Sequence, residues 1–137
     1  MKTNFKLGTA IAISFGSLLC ASAAYADGWP TSIQGTWSII GNQSNGGIVS
    51  ITQPSSTLDC QPISGSTSGN WGAATIKGFY CPKSGRINFI RVFNNNPIQS
   101  FQGNLSTNAS TLYMGGTFAI LDPIGGSLGE YNFSASK

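Results

Sequence analysis

The sequence predicts an all-β fold, an eight-stranded antiparallel up-and-down β-barrel that follows a cleaved signal peptide. Three observations carry that expectation. Apolar and polar residues alternate over about eight short stretches, clusters of Gly, Asn, Ser and Pro separate them, and no window repeats apolar residues at helical spacing. Every connection is short, so strands adjacent in sequence are expected to pair. Eight such strands close into a cylinder filled by side chains or holding one small ligand, and closure removes exposed edges.

The export segment comes first, over residues 1–26. Lys2 and Lys6 give it a positive start, Leu7 to Leu19 is apolar, and Ala24-Tyr25-Ala26 forms an A-x-A cleavage pattern. The apolar stretch falls short of the roughly 20 residues a spanning helix needs. Bulky Leu19 before Cys20 argues against a lipoprotein signal. A single domain over residues 27–137 is expected, secreted or periplasmic. It keeps Lys77, Lys83, Arg86, Arg91 and Lys137 against Asp27, Asp59, Asp122 and Glu130. The +3 charge of the full chain therefore belongs partly to targeting, and it does not indicate nucleic acid. Cys60 and Cys81 remain as an even pair in an oxidising compartment, which is most simply a disulfide. Closing a loop of about 20 residues stabilises a domain by about 3 kcal/mol.

The strands follow in order. In the first, Ile33, Gly35, Trp37 and Ile39 share one side and Gln34, Thr36 and Ser38 the other. Asn45-Gly46-Gly47 is expected to turn the chain, because such residues tolerate positive φ. The second strand spans Gly47 to Gln53 and the third Cys60 to Ser66. A flexible polar connection is expected over Gly65-Ser66-Thr67-Ser68-Gly69-Asn70. The fourth spans Thr75 to Cys81 and the fifth Arg86 to Phe93, with Pro82-Lys83-Ser84-Gly85 between them and Asn94-Asn95-Asn96-Pro97 after. Ile98 to Leu105, Thr111 to Leu121 and Gly129 to Ser136 complete the set. A transmembrane barrel needs an apolar outer face. Here many non-core positions are Ser, Thr, Asn and Gln, so the barrel is not expected to be membrane-embedded.

Motifs that look catalytic lack their context. Gly125-Gly126-Ser127-Leu128-Gly129 matches G-x-S-x-G, but the chain has no histidine and no helix follows. Ser134-Ala135-Ser136-Lys137 matches S-x-x-K at the extreme C-terminus, without companion motifs. The few acids are well spread, no metal-ligating cluster stands out, and the glycines form no phosphate-binding unit. A non-enzymatic protein without metal or cofactor is expected.

Gly35-Thr36-Trp37, opening an eight-strand meander, resembles the avidin and streptavidin family and more loosely the wider calycin superfamily. Phe101-Gln102-Gly103-Asn104 is similar to that family's F-T-G-Q strand. The resemblance implies that Trp37 packs across one end of the barrel. It does not extend to the biotin-binding residues. That family surrounds biotin with several tryptophans, an early Asn and Ser, a Tyr and a late Asp, whereas here Ile39 stands near the Asn position, Ser66 near the Tyr, Arg91 near one Trp and Thr117-Phe118 near another, and the final strand has no Asp. Ser44 stands near the early Ser at shifted spacing. Biotin binding is therefore not implied.

Three functional readings remain. The first is a barrel binding a small ligand of unspecified identity. If Ile87 and Phe89 face inward, alternation turns Arg91 and Phe93 inward too, and Arg91 would need a partner or an anionic ligand. Tyr80 and Tyr131 would add aromatic walls and hydroxyl donors. The bland alternative puts Arg91 at the rim in water and both tyrosines in the core. The second reading is a protein-binding module such as a protease inhibitor, its arm Asp27-Gly28-Trp29-Pro30-Thr31-Ser32 anchored by Trp29. The alternative for Trp29 is to fold over the barrel end. The third is a surface or matrix protein without a pocket. In it Trp71 is either an exposed contact or a lid over the mouth, and Ile90 and Val92 would suit a homo-oligomer interface.

Overall fold

The computed structural model describes residues 25–26, 29–42, 44–108, 110–124 and 126–137. A short ladder pairs β1 (Tyr25–Ala26) with β2 (Trp29–Pro30). Eight strands follow: β3 (Gly35–Gly41), β4 (Ser44–Thr52), β5 (Gln61–Gly69), β6 (Ala74–Cys81), β7 (Arg86–Phe93), β8 (Asn96–Asn108), β9 (Thr111–Leu121) and β10 (Ser127–Ser136). Each is antiparallel to the next, and β10 returns to β3 through pairs from Phe133↔Gly41 to Ser136↔Ser38, closing the barrel. The expected fold is thus observed. Apart from Tyr25 and Ala26, the expected signal peptide lies outside the described residues, as do Asp27 and Gly28. Among the described residues no helix is long and apolar enough to cross a membrane.

Period-two alternation sorts the side chains. Trp37, Ile39, Val49, Ile51, Ile76 and Phe101 are buried inside, whereas Thr36, Ser38, Ser50, Ser64 and Ser66 face outward and are exposed. Such alternation fixes register, because a slip of one residue would move every apolar side chain into water.

One end of the barrel, the floor, is sealed by the segment after β2. Trp37 is fully buried there, and its indole N–H donates to Ile33 O at 2.9 Å. The Tyr80 hydroxyl donates to Pro30 O at 2.6 Å. Gln53 accepts from Ile33 N at 2.9 Å and donates to Thr31 O at 3.0 Å. The Trp29 ring lies on Gly85, where a Cβ would come within 2.7 Å of it. Trp29 is therefore half-buried against the core, the placement expected of a Trp folded over the barrel end. Beside this floor Cys60 and Cys81 form the expected disulfide, with Cα atoms 4.0 Å apart. Lys137 closes the last gap. Its backbone exchanges bonds with Leu112 at 3.0 and 3.2 Å, and its ammonium bonds Gln34 O and lies 5.8 Å from the Trp37 ring centroid.

The turns differ from expectation in several places. Asn45-Gly46-Gly47 lies within β4, and the first hairpin closes around Asn42, with Gly41 paired to Ser44. Asn42 supplies the reason. Its N–H donates to Asn132 O and its side chain accepts from Asn132 N, each at 3.1 Å, which locks the turn to β10. Residues 65–69 belong to β5 instead of a loose connection, because their backbone pairs with β4 on one side and, through Thr67, with β6 on the other. Their serines form a wet outer row while Thr67 points inward. The strand expected over Ile98 to Leu105 is longer at both ends, because Asn96 and Pro97 pair with β7 and Ser106 to Asn108 pair with β9. Asn94 and Asn95 adopt φ of 49° and 63°, the left-handed pair that a tight hairpin needs. Ser127, in the G-x-S-x-G stretch, opens β10 after a hairpin turn held by Asp122.

Candidate functional site

The opposite end, the mouth, is where β5 passes into β6 and β7 into β8. Its wall is a rung of four aromatic residues set side by side across four strands, with pairs Phe89↔Phe101, Phe101↔Phe118 and Phe118↔Tyr131. Phe89 and Phe101 stack with centroids 4.5 Å apart and planes 6° from parallel. Phe101 and Phe118 stack at 5.1 Å and 16°, and Tyr131 lies 5.4 Å from Phe118.

A bulge creates this rung. The β7–β8 hairpin begins in register with Phe93↔Asn96 and Val92↔Pro97, then shifts so that Arg91 faces Gln99. Ile98 is the extra residue. Without it Phe89 would face Ser100 and Phe101 would turn outward, because one residue of slip exchanges the faces of a strand.

Arg91 stands above the rung and is 5 % exposed. Its Nε donates to Thr67 Oγ1 at 3.2 Å, Nη1 to Gln99 Oε1, and Nη2 to Trp71 O and, at 3.5 Å, to Gly72 O. Every one of these acceptors is neutral. Among the described residues the sole ion pair joins exposed Lys83 and Asp59, and none involves Arg91. Burial pulls the guanidinium pKa below its ordinary value, yet arginine keeps its charge in proteins. Among the described residues this buried cation has no anion to match it, a costly arrangement.

Trp71 covers this cation. It sits in the β5–β6 turn, which the Gly72 N to Gly69 O bond of 3.0 Å closes, with Gly69 and Gly72 at φ of 73° and 72°. Its ring lies 5.5 Å from Phe101 and 6.0 Å from Phe118, and the Arg91 Cζ is 5.5 Å from its centroid. A Cβ on Gly47 would approach it to 2.7 Å, so the glycine that looked like a turn residue is the seat of the lid. The indole N–H is buried without an acceptor, which costs about 1–3 kcal/mol. Against that, burying a side chain of about 200 Å² is worth about 5 kcal/mol. The lid is held by apolar contact and by Arg91, with one polar group left unsatisfied.

The sequence-predicted residues divide between the two ends. Arg91 and Trp71 meet at the mouth, Arg91 inward as the alternation required, and Tyr131 ends the rung against Phe118. Tyr80 does not join them. It pairs with Ile87, four residues before Arg91 on β7, about 13 Å away at about 3.3 Å per residue. Its hydroxyl serves the floor, where burial pushes its pKa up to about 12. Phe93 is exposed at the rim, in the last pair of β7 with β8 before the hairpin turn. Thr67, Gln99 and the phenylalanine rung were not foreseen. Gln99 depends on the bulge, and Thr67 lies in a stretch whose polar composition reads as a loop.

The outer face carries a shallow groove of about 390 Å³ over β6 to β8, where Phe79 and Ile90 are exposed. Among the described residues no three metal-ligating side chains cluster. Beneath Trp71 the mouth holds a planar cationic donor and a flat apolar wall, both buried, a combination suited to an acceptor oxygen joined to an apolar body. No protein-family model matches the chain, and no curated protein or solved structure matches it either.

Proposed function

We propose that this chain is an exported, non-enzymatic barrel that binds a small organic anion at its mouth, with Trp71 leaving its seat when the ligand enters. The observation that carries this reading is the burial of Arg91 among neutral oxygens only. A purely structural clamp for the β5–β6 turn would not need a full charge there, whereas an anion entering from solvent would complete it. The unsatisfied Trp71 indole and the two glycines bounding its turn give the lid a reason and a means to move. The disulfide accords with an oxidising compartment. The Ser- and Thr-rich outer face accords with a barrel standing in water. An avidin-like ancestry would suit a ligand entering a barrel end, and the inhibitor-arm alternative draws no support from Trp29, packed on Gly85.

The test is titration of the protein with a panel of small organic acids and their uncharged amides, followed by tryptophan fluorescence and calorimetry. At least one acid should bind saturably, and the binding should vanish in Arg91→Gln. Binding that is absent across the panel, or is unchanged in Arg91→Gln, refutes the proposal.

A further inference from the structure

The lid itself specifies what would replace it. Trp71 presents three features to the mouth at once: an indole against Phe101 and Phe118, a face toward the guanidinium, and its own carbonyl oxygen accepting from Arg91 Nη2. Ring and oxygen belong to one residue, so the covalent path between them is fixed. It runs from indole C3 through Cβ and Cα to the carbonyl carbon. That path is the skeleton of an arylpropanoate.

We infer that the ligand class of the mouth is a planar aromatic acid in which two carbons separate ring and carboxylate, as in indole-3-propionate. The inference rests on the proposal that Trp71 yields its seat to an anion. A molecule of this shape recovers the contacts the indole gives up against the rung, and it replaces a neutral carbonyl at Arg91 with a carboxylate. The second change is its advantage over the lid, because charge-assisted bonds to guanidinium exceed those to a neutral oxygen. A smaller or purely aliphatic acid would pair with Arg91 but leave the phenyl rung uncovered. A neutral indole would cover the rung and leave the cation unmatched. Both halves are required, because the closed lid competes with any ligand and lowers its apparent affinity by the open fraction.

Three probes separate these contributions: indole-3-propionate, 3-methylindole and hexanoate, each titrated by calorimetry into wild type, Trp71→Gly and Arg91→Gln. In wild type, indole-3-propionate should bind at least about tenfold more tightly than either other probe, the step expected of one charge-assisted contact. Trp71→Gly removes the competing ring and should tighten indole-3-propionate by a further factor of about ten or more. Arg91→Gln should bring indole-3-propionate down to the affinity of 3-methylindole. If hexanoate binds as tightly as indole-3-propionate and depends on Arg91, the aromatic class is wrong while anion binding at the mouth stands. If 3-methylindole equals indole-3-propionate in wild type, the acid class is wrong. If no probe binds in an Arg91-dependent way, both this inference and the proposal beneath it fail. Should Trp71→Gly not fold, the wild-type ranking of the three probes decides alone.

Discussion

Replacing Arg91 with methionine separates a charge kept for a ligand from a charge kept for the fold. Methionine preserves the unbranched stem and removes the guanidinium. The substitution leaves the Trp71 carbonyl without its donor, at about 1–3 kcal/mol, and forfeits the cation–π contact, at about 0.5–2 kcal/mol. Thr67 still donates to Gly72 O at 2.9 Å, and the half-buried Gln99 can turn to water. On the other side, the folded state no longer holds an unmatched ion, whose removal from water costs several kcal/mol. The two sides nearly cancel, so Arg91→Met should change stability by no more than about 1 kcal/mol while abolishing acid binding. With a urea slope of about 1.5 kcal/mol per molar, the midpoint should move by less than about 0.7 M in equilibrium unfolding followed by tryptophan fluorescence. Breaking a buried network essential to the fold costs about 3–5 kcal/mol. A midpoint lowered by 2 M or more, on the order set by that slope, would mark Arg91 as a structural keystone and refute the reasoning.

Other perturbations address each end separately. Gly47→Ala sets a methyl within 2.7 Å of the Trp71 ring. It should unseat the lid at a cost of about 1–3 kcal/mol, seen as greater acrylamide quenching, and an unaltered quenching profile would contradict the seat. Replacing both Cys60 and Cys81 with serine should cost about 3 kcal/mol through the loop that separates them by 21 residues, read as a lower thermal midpoint with the β-sheet circular dichroism retained. The Tyr80 hydroxyl, raised to about 12 in the folded chain, stays neutral where an unfolded tyrosine ionises near 10. Its contribution is therefore complete below about pH 10 and is lost as the pH rises toward 12, by about 2–3 kcal/mol. Melting curves at pH 9 and 11 should show about half of that loss in wild type and none of it in Tyr80→Phe, which should bind ligand normally. Deleting Lys137 should lower stability by about 1–2 kcal/mol through its bonds to Leu112 and Gln34, without changing acid binding.

The strands were legible because period-two alternation is a local property and needs no partner to be read. The turn at Asn42 and the strand through Gly47 were not, because two different physical demands select the same residue. A glycine marks a turn when its φ must be positive, and it marks a close approach when a neighbour occupies the place of its Cβ. Gly47 answers the second demand, and only the position of Trp71 reveals that. The site was legible to the same degree. Alternation gave the inward face of Arg91, but it gives a face and not a height along the barrel. Tyr80 therefore read as a neighbour of Arg91 although it serves the floor. The phenylalanine rung was hidden by the bulge at Ile98, since the simple register of an Asn-Asn hairpin pairs Phe89 with a serine. Thr67 was hidden by its serine neighbours, whose outward row looks like a linker until the strand beside it is in place.

Each of the three tryptophans of the chain gives one indole N–H resonance, and that of Trp71 reports the central claim without an indirect readout. On saturation with indole-3-propionate, the Trp71 signal should move to the shift of a water-exposed indole and exchange with solvent, while the Trp37 signal, held by Ile33 O, stays where it was. A Trp71 signal that remains protected while the acid is bound would contradict the account, because the mouth would then not be where the ligand goes.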